Sequence, residues 1–288
     1  MNKKKPRQRK SIVPDFKVWY EDCITGMVRH IPDNSIDLVV ADPPYGIKGE
    51  TLDSHYNRNE KQVIAGYKDV TIEDYPSFTK KWIDQCKRSL RPGGSIYIIS
   101  GYTNLHIILN ALHESGLKEV NHLIGKFKFG VFTKKKFVSS HYHILFWFKP
   151  PSIKRTFNTK CRYRAEWDFY KDLQDVIEDI DIRKNNPKEK KNKNQLNPEF
   201  IEKLINYSSN KNDLIMDPFM GSLCTAKAAL SLGRRVVGFE INKNCRVFEG
   251  NLRKIKQKKI RPILPDRDKE AEYKKKRASY KLTRNKYK

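Results

Sequence analysis

The stretch SIDLVVADPPYGIK, residues 35–48, joins an apolar run to an acid, two prolines and an aromatic residue. The apolar run is short and rich in β-branched residues, which is typical of a buried strand in a parallel sheet. Ligands bind such sheets outside the carboxyl ends of the strands. The residues that follow the run, Asp42-Pro43-Pro44-Tyr45, are therefore candidates for a functional site, although these four residues alone are also compatible with a turn.

The sequence on both sides of this stretch repeats an alternation of short apolar runs and amphipathic helical patterns. Such an alternation predicts a doubly wound, mostly parallel α/β sheet. The alternation stops in a polar segment, 151–194, and resumes at residue 195. Strands are predicted within 16–22, 36–41, 91–100, 141–150, 213–217 and 234–240, and helices within 23–34, 77–90, 104–116, 172–180, 197–208 and 226–233.

The polar segment and the charged ends divide the chain into four parts. We expect a basic N-terminal arm at 1–14, an α/β domain built from 15–150 and 195–250, an insertion at 151–194, and a basic C-terminal tail at 251–288. The chain carries 59 Lys and Arg against 33 Asp and Glu, a net charge of +26. This excess indicates a polyanionic partner, with nucleic acid ahead of an acidic membrane surface.

Several classes of protein are disfavoured by what the sequence lacks. The five cysteines are scattered without a CxxC pair, which argues against a structural zinc site and favours a reducing compartment. No apolar stretch approaches the roughly 20 residues that a membrane span needs. His141 and His143 alternate on a predicted strand without a third ligand at metal spacing, so no metal is expected. We therefore expect a soluble, cytoplasmic protein.

A second loop with candidate functional residues follows the predicted strand 213–217. It reads DPFMGS from Asp217 to Ser222, and the next strand ends at Glu240, which lies 23 positions beyond Asp217. An acid at that place can accept hydrogen bonds from a ribose diol, and Gly221 lets the backbone approach a ligand closely. Gly-Ser after a strand is often only a tight connection. Together, however, the two loops predict a pocket for a nucleoside-containing cofactor.

The ordered set YEDC, SIDLVVADPPYG, LRPGGSIYII, HYHILFWFK, QLNPEFIEKLI, DPFMGS and GFEIN resembles the beta-class amino-group DNA methyltransferases, which use S-adenosyl-L-methionine. In that class DPPY precedes the cofactor loop, and the resemblance covers most of 16–150 and 195–250. It implies a Rossmann-like methyltransferase sheet with a permuted motif order. It also implies a site-specific enzyme of a restriction-modification system, leaving a cognate endonuclease and the oligomeric state open.

The resemblance gives the DPPY loop a chemical role. An amino nitrogen on a nucleobase is a weak nucleophile, and the Asp42 carboxylate and Pro43 carbonyl can each accept one of its hydrogens. Pro44 helps to stiffen the loop, and Tyr45 offers a ring face to a base rotated out of the duplex. Asp at the first position favours adenine N6 over cytosine N4, so the expected product is N6-methyladenine in double-stranded DNA.

The same resemblance assigns the cofactor pocket. The loop after Asp217 is expected along the methionine part, Glu240 at the ribose hydroxyls, and the Asp22-Cys23 region against the adenine, although Asp22 can also be a helix N-cap. The chain departs from the family at Leu223, where Gly is usual, and before 197, where NKNQLN replaces HPTQKP; we expect activity to survive. The implied cofactor-binding residues are Asp22, Cys23, Asp217, Pro218, Phe219, Gly221, Ser222, Thr225 and Glu240.

DNA recognition is expected in the polar insertion 151–194, which thereby becomes a target-recognition segment. The long stretch 49–70 after DPPY is interpreted as a lid. The Phe and Lys residues of 126–137 are equally compatible with a nucleic-acid surface and with a half-buried hairpin. The alternatives left open are a cytosine-N4 enzyme, an RNA methyltransferase and a DNA-binding subunit that has lost its cofactor. The candidate DNA-binding residues are Arg155, Lys160, Arg162 and Arg164.

Overall fold

The computed structural model describes residues 15–46, 69–128, 134–135, 137–151, 155–158, 173–178, 180–183 and 195–258. Several sequence-based predictions lie outside these residues. They are the arm 1–14, the lid apart from its last two positions, the tail beyond residue 258, and three of the candidate DNA-binding residues, Lys160, Arg162 and Arg164.

Strands and helices alternate along the described chain, as the sequence predicts, except that three strands between residues 118 and 177 follow one another without an intervening helix. The strands are β1 (Phe16–Trp19), β2 (Ile36–Ala41), β3 (Leu90–Ser100), β4 (Lys118–Lys126), β5 (His141–Phe148), β6 (Val176–Ile177), β7 (Leu214–Asp217) and β8 (Arg235–Phe239). The helices are α1 (Cys23–His30), α2 (Tyr75–Ser89), α3 (Leu105–Ser115), α4 (Pro198–Ser208) and α5 (Cys224–Ser231), followed by 3-10 turns over Lys243–Lys254.

The strands form one eight-stranded sheet in the order β1-β8-β7-β2-β3-β5-β4-β6. Only β5 runs antiparallel to its neighbours β3 and β4, and the other adjacent pairs are parallel. The predicted doubly wound, mostly parallel sheet is therefore confirmed. Because β5 is reversed, its first residues pair with the end of β3, with His143 opposite Ser100.

The sheet is covered on both faces because its central strands are buried on both sides. In β2, Leu38 and Val40 point into the core under α4 and α5, whereas Val39 and Ala41 point into the core under α1, α2 and α3. All four side chains are at most 1% exposed. Strands buried on both faces read as continuous apolar runs, which is why IDLVVA lacks polar alternation.

One sequence-based prediction of structure was wrong. The apolar spacing in 172–180 predicts a helix, but Val176–Ile177 is a short strand, β6, that pairs in parallel with β4. The backbone N–H of Ile124 donates to the carbonyl of Asp175 at 2.7 Å. Val176 is 37% exposed while Ile177 is 3% exposed, which is the alternation of a strand. Two adjacent β-branched residues favour this outcome over a helix.

The described residues contain no helix that is both long and apolar enough to cross a membrane. Within the same part of the chain, no group of three or more His, Cys, Asp or Glu side chains could hold a metal ion.

Candidate active site

The carboxyl ends of β1, β8, β7, β2 and β3 lie along one edge of the sheet, which we call the catalytic edge. Register pairs fix this arrangement, because Trp19 lies opposite Phe239, and Asp217 opposite Gly238. The loop after β2 therefore lies beside the loop after β7. The two candidate loops, far apart in sequence, meet at this edge as the sequence predicts.

The DPPY loop is held by side chains at the starts of two helices. Asn104, just before α3, donates from its amide nitrogen to the carbonyl oxygens of Tyr45 at 2.7 Å and Gly46 at 2.8 Å. The hydroxyl of Tyr75, in α2, donates to the carbonyl of Pro44 at 2.9 Å. Gly46 has φ +61°, and a Cβ there would lie 2.5 Å from the Tyr75 ring. The loop is thus fixed by its carbonyls and requires Gly after Tyr45.

Asp42 and Tyr45 are joined by a hydrogen bond inside this loop. The Tyr45 hydroxyl donates to Asp42 Oδ1 at 2.8 Å. Burial raises the pKa of Asp42, whereas the nearby Arg183 and the Tyr45 hydrogen bond oppose that rise. The pKa of Tyr45 is raised well above its usual value, first by burial and then by the Asp42 charge, so Tyr45 stays a hydrogen-bond donor at neutral pH.

Two further side chains, which the sequence analysis did not select, complete this part of the site. Arg183 Nη2 donates to the Tyr45 hydroxyl at 3.4 Å. The guanidinium carbon of Arg183 lies 4.6 Å from the ring centroid of Tyr142, and that ring lies 6.0 Å from the Tyr45 ring. Tyr142 and Arg183 are each 6% exposed. The sequence offered only a weak signal for them: Tyr142 alternates with two histidines on its strand, and Arg183 follows an apolar residue in a polar segment.

Asp217 ends β7 in a buried position. Its Oδ1 accepts a hydrogen bond from the backbone N–H of Phe219 at 2.8 Å, and Thr225 hydrogen-bonds the carboxylate. Burial raises the pKa of Asp217 to about 7, and the charges of Asp42 and Glu240 add to the rise. These three carboxylates therefore interact across the catalytic edge, and such a cluster favours a cationic ligand.

Glu240, at the end of β8, holds the loop after β7. Its Oε2 accepts from the backbone N–H of Gly221 and its Oε1 from that of Asn242, both at 2.7 Å. Burial raises the pKa of Glu240, and both hydrogen bonds oppose that rise. Gly221 has φ +49°, a conformation that suits Gly and fixes the turn toward Glu240.

The remaining predicted residues of this loop are buried, except Phe219, which is half-buried. Phe219 makes an edge-on contact with Trp82 of α2, with 5.2 Å between centroids. Ser222 and Thr225 are each 5% exposed, and Pro218 is also buried. The predicted cofactor-loop residues therefore share one compact turn between β7 and α5.

Leu223 keeps the left-handed backbone that suits the usual Gly. Its φ is +63°, its N–H donates to the Met220 carbonyl at 2.7 Å, and its carbonyl accepts from the Lys227 N–H at 3.0 Å. The Leu223 side chain is fully buried in the core under α4 and α5. Leu223, in place of the usual Gly, therefore preserves the tight turn at the start of α5 and adds an apolar side chain to the core.

The Asp22-Cys23 region lies at the catalytic edge beside Glu240, whose N–H donates to the Trp19 carbonyl at 3.0 Å. Asp22 caps α1, because its Oδ1 accepts from the Thr25 N–H at 2.9 Å. The N-cap role foreseen for Asp22 is thus present, and its contact with adenine stays a prediction. Cys23 is 6% exposed, and burial raises its pKa, so it is an apolar neighbour and not a nucleophile.

Arg155 lies away from these loops. Its guanidinium carbon is 5.0 Å from the ring centroid of Phe146 and 5.4 Å from that of Phe157. Phe146 and Phe148 are near the end of β5, and Phe148 pairs with Ser95 at the start of the parallel part of β3. Arg155 therefore lies toward the edge opposite the catalytic edge, and its predicted DNA contact stays a prediction.

Comparison with known proteins places the chain among DNA methylases. A family model described as DNA methylase, of the N6/N4 methyltransferases, matches residues 36–247. The chain is 29% identical over 265 residues to the type II methyltransferase M.BamHI of Bacillus amyloliquefaciens, covering 85% of this chain and 59% of M.BamHI. It is 30% identical over 248 residues to M.HinfI of Haemophilus influenzae, covering 82% and 67%. The match thus spans about three fifths to two thirds of these relatives.

Solved structures share the fold. TTHA0409 of Thermus thermophilus superposes with a TM-score of 0.60 at 20% identity, over 83% of this chain and 94% of that one. The cytosine-N4-specific PvuII DNA methyltransferase superposes with a TM-score of 0.59 at 14% identity, over 84% and 91%. At these identities the likeness concerns the fold alone. The family model, in contrast, matches well over half of the residues, and the chain therefore belongs to the N6/N4 DNA methylase family.

Proposed function

We propose that this protein transfers a methyl group from S-adenosyl-L-methionine to the N6 nitrogen of adenine in duplex DNA. One observation carries the proposal: the DPPY loop, with the Asp42 carboxylate, lies beside an acidic loop built around Asp217 and Glu240 at one edge of the sheet. A site for an amino group thus adjoins a site for a positively charged nucleoside.

The charge of the pocket suits S-adenosyl-L-methionine. That cofactor carries a sulfonium and an ammonium group, and it supplies an electrophilic methyl group. Burial raises the pKa of Asp42, Asp217 and Glu240, and the charges of Asp42 and Glu240 raise that of Asp217 further, so a cation among them would be stabilised. Glu240 would bind the ribose hydroxyls, and the turn from Asp217 to Ser222 would follow the methionine part. TTHA0409 and M1.HpyAVI, which share the fold, have been solved in complex with this cofactor.

Asp42 and Pro43 would activate the target nitrogen. A carboxylate accepts hydrogen bonds through both oxygens, so Asp42 can receive one amino hydrogen while the Pro43 carbonyl receives the other. Both bonds draw the nitrogen lone pair out of conjugation with the base. Tyr45 and Tyr142, whose rings lie 6.0 Å apart, would offer aromatic surface to a base turned out of the helix. The cofactor would supply its methyl group to this nitrogen, with the S–CH3 bond breaking as the N–CH3 bond forms, S-adenosyl-L-homocysteine as the leaving group and one amino proton passing to water.

Adenine is preferred over cytosine because the first residue of the motif is Asp42. The runner-up is cytosine N4, the specificity of the PvuII enzyme, which has a similar fold. The two products differ in mass and chromatographic behaviour, so nucleoside mass spectrometry separates them.

Duplex DNA would approach the catalytic edge, where the connection from β4 to β5 also emerges. Lys126 and Lys128 lie at its start, exposed Lys134 and Lys135 lie within it, and Phe137 is 100% exposed. Lysines bind phosphates without regard to sequence, and an exposed ring can stack on a base. Sequence recognition would come from the insertion 151–194. The type II relatives favour a role in restriction-modification, with a cognate endonuclease as partner, in the cytoplasm.

The proposal is tested by transfer of labelled methyl from S-adenosyl-L-methionine to unmethylated genomic DNA, followed by nucleoside mass spectrometry. Asp42→Ala should abolish transfer, whereas Asp84→Ala, at a partly exposed position of α2, should retain it. N6-methyladenine that depends on Asp42 is the expected result. Methylated RNA in a parallel assay would favour the RNA methyltransferase instead, and DNA binding without any cofactor binding would favour a cofactor-defective subunit; either result would overturn the proposal.

A further inference from the structure

Arg183 has a fixed backbone. The N–H of Ile182 donates to the Lys126 carbonyl at 3.1 Å, and the N–H of Asn197 donates to the Ile182 carbonyl at 2.9 Å. Arg183 itself forms an antiparallel bridge with Leu196. The chain at 182–183 is therefore hydrogen-bonded on one side to the end of β4 and on the other to the residues just before α4.

The Arg183 side chain points into the site described above. It is 6% exposed, its guanidinium carbon lies 4.6 Å from the centroid of the Tyr142 ring, and its Nη2 donates to the Tyr45 hydroxyl at 3.4 Å. That hydroxyl donates in turn to Asp42 Oδ1 at 2.8 Å. A chain of two hydrogen bonds thus connects a permanently charged guanidinium to the carboxylate of the DPPY loop.

Burying a charged guanidinium costs free energy unless negative or polarisable groups lie close to it. Asp42, Tyr45 and Tyr142 all raise the pKa of Arg183, against the lowering effect of burial. The influence is mutual, because Arg183 lowers the pKa of Asp42. The aromatic face of Tyr142, 4.6 Å from the guanidinium carbon, also stabilises the cation.

We propose that Arg183 is a positioning residue that keeps Asp42 ionised and holds Tyr45 in place, so that the carboxylate can accept the amino group of the target base. This inference rests on the proposed function and deepens it. Arg183 lies within 151–194, the segment assigned to target recognition. The segment that selects the DNA would therefore also supply a cation to the loop that performs the reaction.

The charge state of Asp42 matters because a protonated carboxyl presents one acceptor oxygen fewer and adds a donor that would oppose an amino hydrogen. Burial favours the protonated form, and Asp217 on β7 adds a like charge when it is ionised. Tyr45 from the same loop and Tyr75 from α2 also face Asp42, and both remain neutral donors because their pKa values are raised. Among the described groups that act on Asp42, Arg183 is the cation that opposes protonation.

The rate of methyl transfer should therefore fall at acid pH, where Asp42 becomes protonated. We call this fall the acid limb, and Arg183 should help to set the pH at which it occurs. In single-turnover assays, Arg183→Met should move that limb upward by about one pH unit or more, since a neighbouring opposite charge shifts a carboxyl by about 1–3 units. On the acid limb the variant should be about 10-fold or more slower than the wild type at the same pH, and the two rates should converge as the pH rises. Arg183→Lys retains the charge and should fall between Arg183→Met and the wild type.

Arg88→Met is the matched control. Arg88 is a partly buried arginine at the end of α2, where its guanidinium donates to the carbonyls of Ile31 and Met27. Its loss removes buried hydrogen bonds at the edge opposite the site, so it should lower thermal stability and leave the pH profile unchanged. Thermal melts of all variants then separate a loss of folded protein from a change in the site.

A second measurement does not depend on activity. Carbon NMR of protein labelled at the Asp carboxyls, with the Asp42 signal assigned by its loss in Asp42→Asn, reports the Asp42 pKa directly. That pKa should rise in Arg183→Met and stay unchanged in Arg88→Met. If neither the Asp42 pKa nor the acid limb moves in folded Arg183→Met, the inference is overturned. The proposed methyl transfer would still stand. Absence of transfer by the wild type would instead overturn the proposed function.

Discussion

Glu240 Oε2 accepts a hydrogen bond from the backbone N–H of Gly221 at 2.7 Å, and this bond ties the end of β8 to the loop after β7. The carboxylate thus shapes the turn along the proposed cofactor pocket, and it is also the group proposed to bind the ribose hydroxyls. A change of its charge tests the proposed binding role.

Glu240→Gln removes the negative charge and keeps one oxygen, which can accept from the Gly221 N–H, while its amide nitrogen cannot accept from the Asn242 N–H. Charge-assisted hydrogen bonds contribute about 1.5–3 kcal/mol, so the Kd for S-adenosyl-L-methionine should rise about 10- to 100-fold. Isothermal titration calorimetry measures this change, and thermal melts measure separately the cost of the lost bond to Asn242. Glu114→Gln, at an exposed position of α3, is the control and should bind as the wild type does. Equal affinity of both variants would contradict a role for Glu240 in cofactor binding.

The raised pKa of Asp217 has a consequence for stability. Its pKa is about 7 in the folded protein and near 3.8 in an unstructured chain, so the folded state binds the proton more tightly. The contribution of Asp217 to the free energy of unfolding therefore declines as pH rises from about 4 through about 7.

Asp217→Asn keeps an acceptor for the Phe219 N–H and removes the buried charge. The variant without cofactor should be more stable than the wild type at pH 8, by about 1–3 kcal/mol, and the difference should vanish near pH 4. Denaturant unfolding at the two pH values measures it. A variant less stable than the wild type at pH 8 would show that the hydrogen bonds of the carboxylate outweigh its burial.

Leu223 combines a left-handed backbone with a buried side chain. A left-handed conformation costs a residue with a Cβ about 1–2 kcal/mol, and loss of a buried Leu side chain costs about 2–5 kcal/mol. Leu223→Ala loses most of the packing and retains the strained φ, whereas Leu223→Gly loses the packing and relieves the strain.

Both variants should be less stable than the wild type, with the Gly variant about 1 kcal/mol more stable than the Ala variant. This order is the reverse of that at an ordinary buried position, and denaturant unfolding of the two variants side by side tests it. An Ala variant as stable as the Gly variant, or more so, would show that the backbone at 223 is unstrained.

Phe137 is fully exposed beside lysines at the catalytic edge, so its ring contributes no packing to the folded protein. Phe137→Ala should leave the melting temperature and the cofactor affinity unchanged. Affinity for duplex DNA should fall about 5- to 100-fold, because stacking of one ring on a base contributes about 1–3 kcal/mol. Val28→Ala, at an exposed position of α1, should not change DNA affinity in the same fluorescence titration. A Phe137 variant that binds DNA like the wild type would remove this ring from the interface.

The sequence was sufficient to predict the sheet and the two loops, because those features depend on local patterns. Runs such as IDLVVA report burial on both faces, and Asp42 and Asp217 each follow such a run directly. Tyr142 and Arg183 were missed because their positions depend on long-range pairings. Tyr142 reaches the site through the reversal of β5, and Arg183 through the hydrogen bond of Ile182 to the end of β4. The short strand β6 was mistaken for a helix for the same reason, since its partner β4 lies about 50 residues earlier.

The reversal of β5 also affects how a protein of this kind can diversify. The connection from Lys126 to His141 leaves the sheet and returns to it at the catalytic edge, and the N–H of Phe127 bonds the carbonyl of Ser140 at 2.8 Å at its base. Residues could be added to or exchanged in this connection without altering the register of β3, β4 or β5. The hairpin is therefore a point at which residues can be grafted while the DPPY loop keeps its geometry.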